Sequence, residues 1–162
     1  MSLGEVMHWL QGLSLSTAIA ESTWLFPTLE TLHVVAIGLV VGTILFVDLR
    51  LLGLAWRRDD VRELAGSLLP LTWTAFGLAV GTGGLMFLSN AVRYSGNPAF
   101  LVKLALLALA GVNMALFHAG AFRTVERWRT TLPTPVQARA AASLSLVLWV
   151  AIVGFGRWIG FL

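Results

Sequence analysis

The sequence predicts an all-α integral membrane protein: an antiparallel bundle of four transmembrane helices preceded by an amphipathic helix at the membrane interface. Of its 162 residues, 57% are apolar and 12% are charged, and the mean hydropathy is +0.83. Soluble domains usually carry about 25% charged residues. Because this chain has so little charge, a soluble surface is excluded and a membrane protein is favoured.

Four apolar runs are long enough to cross a bilayer. They occupy residues 24–47, 68–88, 100–118 and 140–162. About twenty helical residues, rising about 1.5 Å each, cross ~30 Å of hydrocarbon. Since no long linker and no internal repeat divides the chain, residues 1–162 are predicted to form a single transmembrane domain.

The segment 1–20 is predicted to be an interfacial helix. Its apolar residues fall on one side at helical spacing, and polar residues such as Glu5, His8 and Gln11 fall on the other. Trp9 is expected at the depth of the lipid headgroups. The segment lacks the basic start of a signal peptide, so we expect it to be retained.

The basic residues predict the orientation of the chain. Eight of the eleven lie in the first and third connections, residues 48–67 and 119–139. Connections rich in arginine and lysine stay in the cytoplasm, which places both termini in the periplasm of a bacterial inner membrane. The net charge is only +3, and its clustering in loops argues against a nucleic-acid partner.

Glycine pairs predict close helix packing. Small residues four positions apart let two helices approach each other in a membrane. Such pairs are Gly38 with Gly42, Gly77 with Gly81, and Gly156 with Gly160. They predict contacts with membrane-embedded neighbours, either other spans of this chain or a second copy in a homo-oligomer.

Four ionisable residues fall inside the predicted spans: Glu30, His33, Lys103 and Arg157. Ionisable groups within a membrane are rare and mark functional sites. Counted from the span ends, all four lie in the outer half, within roughly 10 Å of one another in depth. They are predicted to form one buried polar cluster that holds a cofactor. The alternative is structural: Lys103 and Arg157 snorkel to the surface, and Glu30 pairs with one of them.

Other chemistry finds little support in the sequence. There is no cysteine, which excludes disulfides, thiolate metal sites and c-type haem attachment. The segment from Glu30 to His33 matches half of a di-iron motif, but no second half exists.

His118 ends the third span roughly 20 Å from Lys103 along the helix. It is expected to be an interfacial residue or a helix cap, or else to face inward on the helical stripe that it shares with Lys103, Ala110 and Met114.

Two of the spans resemble those of the HemJ/CopD-like group of small bacterial membrane proteins. The similar stretches run from Leu32-His33-Val34-Val35 to Val47-Asp48-Leu49-Arg50, and from Phe100-Leu101-Val102-Lys103 to His118. They cover about a third of the chain, and Glu30 and Arg157 have no counterpart in the resemblance. In HemJ, histidine and lysine are tied to b-type haem and to protoporphyrinogen oxidation. By this resemblance His33 would be an axial ligand of the haem metal, and Lys103 a second ligand or a partner of the haem propionates. CopD-like members are linked to copper uptake.

The sequence therefore predicts a membrane-embedded b-type haem protein that transfers electrons or, as a haem-dependent membrane oxidoreductase, oxidises a hydrophobic substrate. His33, Lys103, Arg157 and Glu30 are the cofactor-binding candidates, because haem needs a neutral imidazole and cations for its propionates. Its partners would be membrane lipid and a redox protein. One alternative is a copper-handling or small-solute transport protein. A second is a structural subunit of a membrane complex.

Overall fold

A computed structural model describes residues 2–161, and every regular element in this range is helical. Met1 and Leu162, the outermost residues of the predicted interfacial helix and of the fourth span, lie outside the described residues. The α-helices in chain order are α1 (Leu3–Gln11), α2 (Ser14–Glu21), α3 (Leu25–Leu51), α4 (Val61–Ser89), α5 (Ala91–Ser95), α6 (Pro98–Ala119) and α7 (Val136–Trp158). A 3₁₀ segment, Ala121–Arg127, follows α6.

The helices α3, α4, α6 and α7 are long and apolar enough to cross a membrane, which confirms the predicted four-span fold. α3 packs against α4, α6 packs against α7, and α3 and α7 join the two pairs. In the described chain no Cα of α4 comes within 8 Å of one in α6. The bundle is therefore open between these two helices. We call the end that carries residues 52–60 and 120–135 the arginine end, and the end that carries α1, α2 and α5 the terminal end.

The predicted interfacial helix is two helices rather than one. Gly12 ends α1, its N–H donating to the His8 carbonyl at 3.0 Å, and the extended backbone at Leu13 starts α2 in a new direction. Both helices are docked on the terminal end. Ser16 donates its hydroxyl hydrogen to the Leu88 carbonyl at 2.6 Å, and the Gln11 side chain accepts from the backbone N–H of Val92 at 3.2 Å.

The helices reach beyond the apolar runs at the arginine end, so the predicted boundaries there are wrong by several residues. The connection predicted at 48–67 is limited to residues 52–60, and α7 starts at Val136 rather than at 140. Asp60 explains the early start of α4, because its carboxylate accepts from the backbone N–H of Arg62 at 2.8 Å and so caps the helix. The apolar run alone does not report such a cap.

A buried arginine ties the connections of the arginine end together. Arg50 has no exposed surface. Its Nε donates to the Asp59 carbonyl at 2.7 Å, and its Nη2 donates to the Arg129 carbonyl at 3.2 Å. Around it lies the main apolar cluster, which includes Leu51 and Trp128. One side chain thus fixes the end of α3 to two loops that are distant in sequence.

Two of the three glycine pairs do not mediate helix contacts within the described chain. A Cβ added to Gly38, Gly42, Gly77 or Gly81 would meet nothing within 4 Å. The buried small residues of α3 and α4 are instead alanines and threonines. Thr43 and Thr72 join the two helices through a hydroxyl hydrogen bond of 2.8 Å. The prediction of close packing within the chain is therefore wrong for these two glycine pairs, and their role toward a second copy stays a prediction.

Replacing Arg50 with lysine should destabilise the protein. Lysine cannot present two fixed donors in the geometry of a guanidinium. At least one of the Asp59 and Arg129 carbonyls would then lose its donor, at a cost of about 1–3 kcal/mol. Arg57 is exposed, so Arg57→Lys should change stability by less than about 0.5 kcal/mol. Thermal unfolding of both variants in one detergent measures this difference, and equal stability of the two would contradict the role given to Arg50.

Candidate functional site

His33 is held by α4 in a single orientation. Its Nδ1 lies 2.9 Å from the carbonyl oxygen of Ala79 and 3.0 Å from the hydroxyl oxygen of Thr82. The Thr82 hydroxyl donates its own hydrogen to the Leu78 carbonyl at 2.7 Å. Because a carbonyl can only accept, Nδ1 carries the proton. In the neutral ring Nε2 then carries the lone pair, and no described residue forms a hydrogen bond with it.

Gly83 makes room for the histidine ring. A Cβ added there would lie 2.9 Å from Cε1 of His33 and 3.4 Å from Nδ1. The distance to Cε1 is shorter than van der Waals contact allows, so even alanine would displace the ring. Two residues of the segment Gly81-Thr82-Gly83-Gly84 thus have a structural role. Thr82 accepts a hydrogen bond from the His33 imidazole, and Gly83 allows the imidazole to lie against the backbone of α4.

Lys103 approaches this region from the other helix pair. It is half-buried in α6. A Cβ added to Gly156 of α7 would come within 3.5 Å of the lysine Nζ and 3.6 Å of its Cε. The lysine therefore runs along the surface of α7 at a glycine. It lies within electrostatic range of His33, although no Cα of α3 comes within 8 Å of one in α6 in the described chain.

Glu30 and Arg157 are not part of a buried ion-pair cluster. Both side chains are exposed, and none of the ion pairs among residues 2–161 includes Glu30, Lys103 or Arg157. The guanidinium of Arg157 lies over the ring of Phe161, 5.6 Å from its centroid. The prediction of mutual charge compensation is wrong, because residues at similar depth on different helices need not face one another.

Glu30 lies instead near Tyr94 of α5. Burial raises the pKa of the Tyr94 phenol; Arg93 lowers it, and the negative charge of Glu30 raises it further. Tyr94 also belongs to an aromatic group at the terminal end. The rings of Phe87 and Phe100 stack with their centroids 5.5 Å apart, and Tyr94 lies 5.6 Å from Phe100. Phe100 is one helical turn from Lys103, so this aromatic group borders the region of the two predicted site residues.

A second polar region lies near the arginine end and was not predicted. A cavity of about 280 Å³ opens between all four spanning helices, and neither His33 nor Lys103 lines it. The polar groups on its wall come from Asp48 and His118 and from four uncharged residues: Thr43, Thr72, Asn113 and Ser145. His118 lines this cavity together with Ala110 and Met114, so these three residues of the predicted stripe face inward, whereas Lys103, the fourth, does not line the cavity.

Asp48 was missed because the predicted first span ended one residue before it. In the structure α3 continues to Leu51, so the aspartate lies inside a spanning helix and is buried, with 6% of its surface exposed. The available signal was the spacing itself: Thr43, Val47 and Asp48 continue the helical face that begins at Ala36 and Val40. An apolar-run boundary cannot show this, because it counts any charged residue as loop.

The His33 region and the cavity are poor in the ligands of a closed metal site. In the described part of the chain no three His, Cys, Asp or Glu residues come together as a metal-binding group. A metal held at His33 would therefore need ligands of another kind, such as those that a bound cofactor brings with it.

The comparison with protein families matches the four-span part of the chain. A family model covers residues 22–162, which begin just after α2 and include all four spanning helices. The chain belongs to the DUF6644 family. This family is described as one of unknown function, and the pair α1–α2 lies outside the DUF6644 match. No curated protein and no solved structure matches the chain.

In this DUF6644 protein, Gly83→Ala should be far more damaging than alanine at neighbouring glycines. The new methyl group would overlap the His33 ring, and such overpacking typically costs about 1–3 kcal/mol. A Cβ at Gly81 or Gly84 meets nothing within 4 Å. Gly81→Ala and Gly84→Ala should be neutral or about 0.5–1 kcal/mol more stable, because alanine favours the helix. Thermal unfolding of the three variants provides the comparison. A Gly83→Ala protein as stable as the other two would show that the ring does not rest against this backbone.

Proposed function

We propose that this protein is a membrane-embedded b-type haem protein that transfers electrons or oxidises a hydrophobic substrate, with His33 as an axial ligand. The observation that carries the proposal is the tautomer of His33. An axial histidine binds metal through one nitrogen, while the other nitrogen donates to a carbonyl or carboxylate that fixes the ring. Here Nδ1 donates to the Ala79 carbonyl at 2.9 Å, and Nε2 keeps its lone pair.

Lys103 would complete the site. Its side chain lies against Gly156 and within electrostatic range of His33. As an ammonium it would bind the propionate carboxylates of the haem. As a neutral amine it would serve as the second axial ligand. The HemJ/CopD-like resemblance rests on the same two residues and extends the proposal to porphyrin chemistry.

The bound haem would supply a one-electron redox centre. The chain itself contributes three things. Ala79 and Thr82 orient the imidazole, Gly83 allows it to approach α4, and the apolar spans keep water away from the ring. The exposed side chains of Arg157 and Glu30 would lie at the edge of this site. Arg157 would be a further cation for the haem propionates, and Glu30 lies near Tyr94.

The orientation in the membrane is part of the proposal. The arginine-rich connections would face the cytoplasm of a bacterial inner membrane, and both termini the periplasm. His33 and Lys103 belong to the terminal end, so the haem would lie nearer the periplasmic surface. Copper handling or small-solute transport is the alternative function, and a structural subunit is a further one.

Haem content tests the proposal directly. The protein is expressed with adequate haem supply, purified in detergent, and its absorption spectrum is recorded before and after dithionite. We expect a Soret band that shifts on reduction, and we expect His33→Ala to lose it. His118→Ala is the matched control, because this histidine lines the separate cavity; it should keep the full spectrum.

The proposal is contradicted if the wild-type protein shows no Soret band. The assignment of His33 as a ligand is contradicted if His33→Ala retains the full spectrum. Copper near one atom per chain without haem would support the copper-handling alternative instead.

A pair of lysine variants distinguishes the two roles of Lys103. Arginine keeps the positive charge but stays protonated, so it cannot ligate iron. If Lys103 binds propionates, Lys103→Arg should keep the wild-type spectrum, and Lys103→Met should lower haem occupancy. If it is an axial ligand, both variants should shift the spectrum. If both variants keep the wild-type spectrum and haem occupancy, Lys103 does not take part in haem binding.

Cysteine labelling tests the orientation. The chain has no cysteine of its own, so single cysteines can be introduced at exposed positions. In intact spheroplasts an impermeant maleimide should label Gly96→Cys, at the terminal end, but neither Arg58→Cys nor Gln137→Cys, at the arginine end. Lysis should make all three reactive. Labelling of the two arginine-end cysteines before lysis would show that the proposed orientation is wrong.

A further inference from the structure

The cavity near the arginine end has the construction of a ligand site. It lies where α4 and α6 stay apart, and all four spanning helices contribute to its wall. Its volume of about 280 Å³ is close to the lower end of the range for ligand pockets, roughly 300 Å³, and therefore suits only a small organic molecule. The wall is mostly apolar and includes five aromatic side chains: Trp73, Phe76, Phe117, Phe122 and Trp149.

One carboxyl group on this wall has no compensating cation. Oδ2 of Asp48 is shielded from the surface and has no hydrogen-bond partner among the described residues. The hydroxyl group of Ser145 lies near this carboxyl group. Arg50, two residues further along α3, forms no ion pair with Asp48 among the described residues. Its Nε and Nη2 donate to backbone carbonyls, and its buried Nη1 has no hydrogen-bond partner there. No lysine or arginine lines the cavity.

We infer that this cavity binds a small organic ammonium ion, with its charged nitrogen near Asp48 and its hydrocarbon body against the aromatic wall. A buried carboxylate without a partner is unstable in a low-dielectric environment and is stabilised by an opposite charge. Aromatic faces attract the same ligand, because their quadrupole favours cations within about 6 Å. The Asp48 carboxylate and the aromatic side chains of the wall therefore both favour a ligand that joins a positive charge to an apolar group.

Other occupants match the wall less well. An anion would be repelled by Asp48. A bare metal ion would find one acidic side chain and no three-ligand group in the described chain. A lipid tail or another neutral apolar molecule would leave the Asp48 carboxyl group unpaired. The site is separate from His33 and Lys103, so this inference does not rest on the proposed haem function.

Binding of 2-phenylethylammonium, compared with the neutral isostere 2-phenylethanol, tests the inference. Isothermal titration calorimetry of the detergent-solubilised protein gives affinity and stoichiometry. We expect the ammonium ion to bind saturably at about one per chain and the alcohol to bind at least tenfold more weakly. The alcohol also controls for partition into micelles, since it enters them more readily than the cation.

Variants then locate the site. Asp48→Asn keeps the side-chain shape and removes the charge, and it should weaken ammonium binding at least tenfold. Glu63→Gln, a carboxylate loss at an exposed position on α4, should bind as the wild type does. His33→Ala should also retain binding, which separates this site from the haem proposal.

A cavity-filling variant keeps the test decisive if Asp48→Asn does not fold. Ala110→Phe adds a ring to the wall and leaves Asp48 in place, and it should abolish binding. The inference is overturned if the wild-type protein shows no saturable ammonium binding, or if the alcohol binds equally well. It is also overturned if the folded Asp48→Asn or Ala110→Phe variant binds with wild-type affinity.

Discussion

The hydrogen bonds of Arg50 are the interactions on which the shape of the bundle depends. The connections at the arginine end expose peptide carbonyls beside the spanning helices, and buried peptide groups need partners. Arg50 satisfies the carbonyls of Asp59 and Arg129 from within α3, and Arg129 in turn pairs with the α4 cap Asp60 at 2.8 Å. These contacts hold together the end of α3, the start of α4 and the connection that leads to α7.

The bundle held by these hydrogen bonds is nevertheless open along one side. α3 contacts both α4 and α7, but α4 and α6 remain apart in the described chain. Polar residues that would be unstable in lipid face the interior created by this arrangement. The two candidate sites share one helix: His33 and Asp48 are fifteen residues apart on α3, roughly 20 Å along its axis. They are therefore separate sites, each with its own partners on α4, α6 and α7.

The sequence predicted some parts of the candidate site and failed on others for identifiable reasons. His33 and Lys103 were singled out because an ionisable residue in an apolar run is conspicuous, and in the structure the two lie within electrostatic range of each other. Glu30 and Arg157 were grouped with them on depth alone, yet depth does not specify the direction in which a side chain points. Asp48 was missed because its neighbour Arg50 made the segment resemble a loop, whereas the guanidinium is in fact buried against carbonyls.

By itself the sequence determined the fold class and the four spans, because hydrocarbon thickness sets the length of an apolar helix whatever its neighbours are. Only the tertiary structure decided which helices touch and which polar groups meet. Close contact between α3 and α4 uses residues such as Ala36, Ala79 and Thr82 rather than the glycine pairs. The rotation of each helix about its axis depends on contacts distant in sequence, such as His33 with Ala79 and Arg50 with Arg129, and no local pattern contains that information.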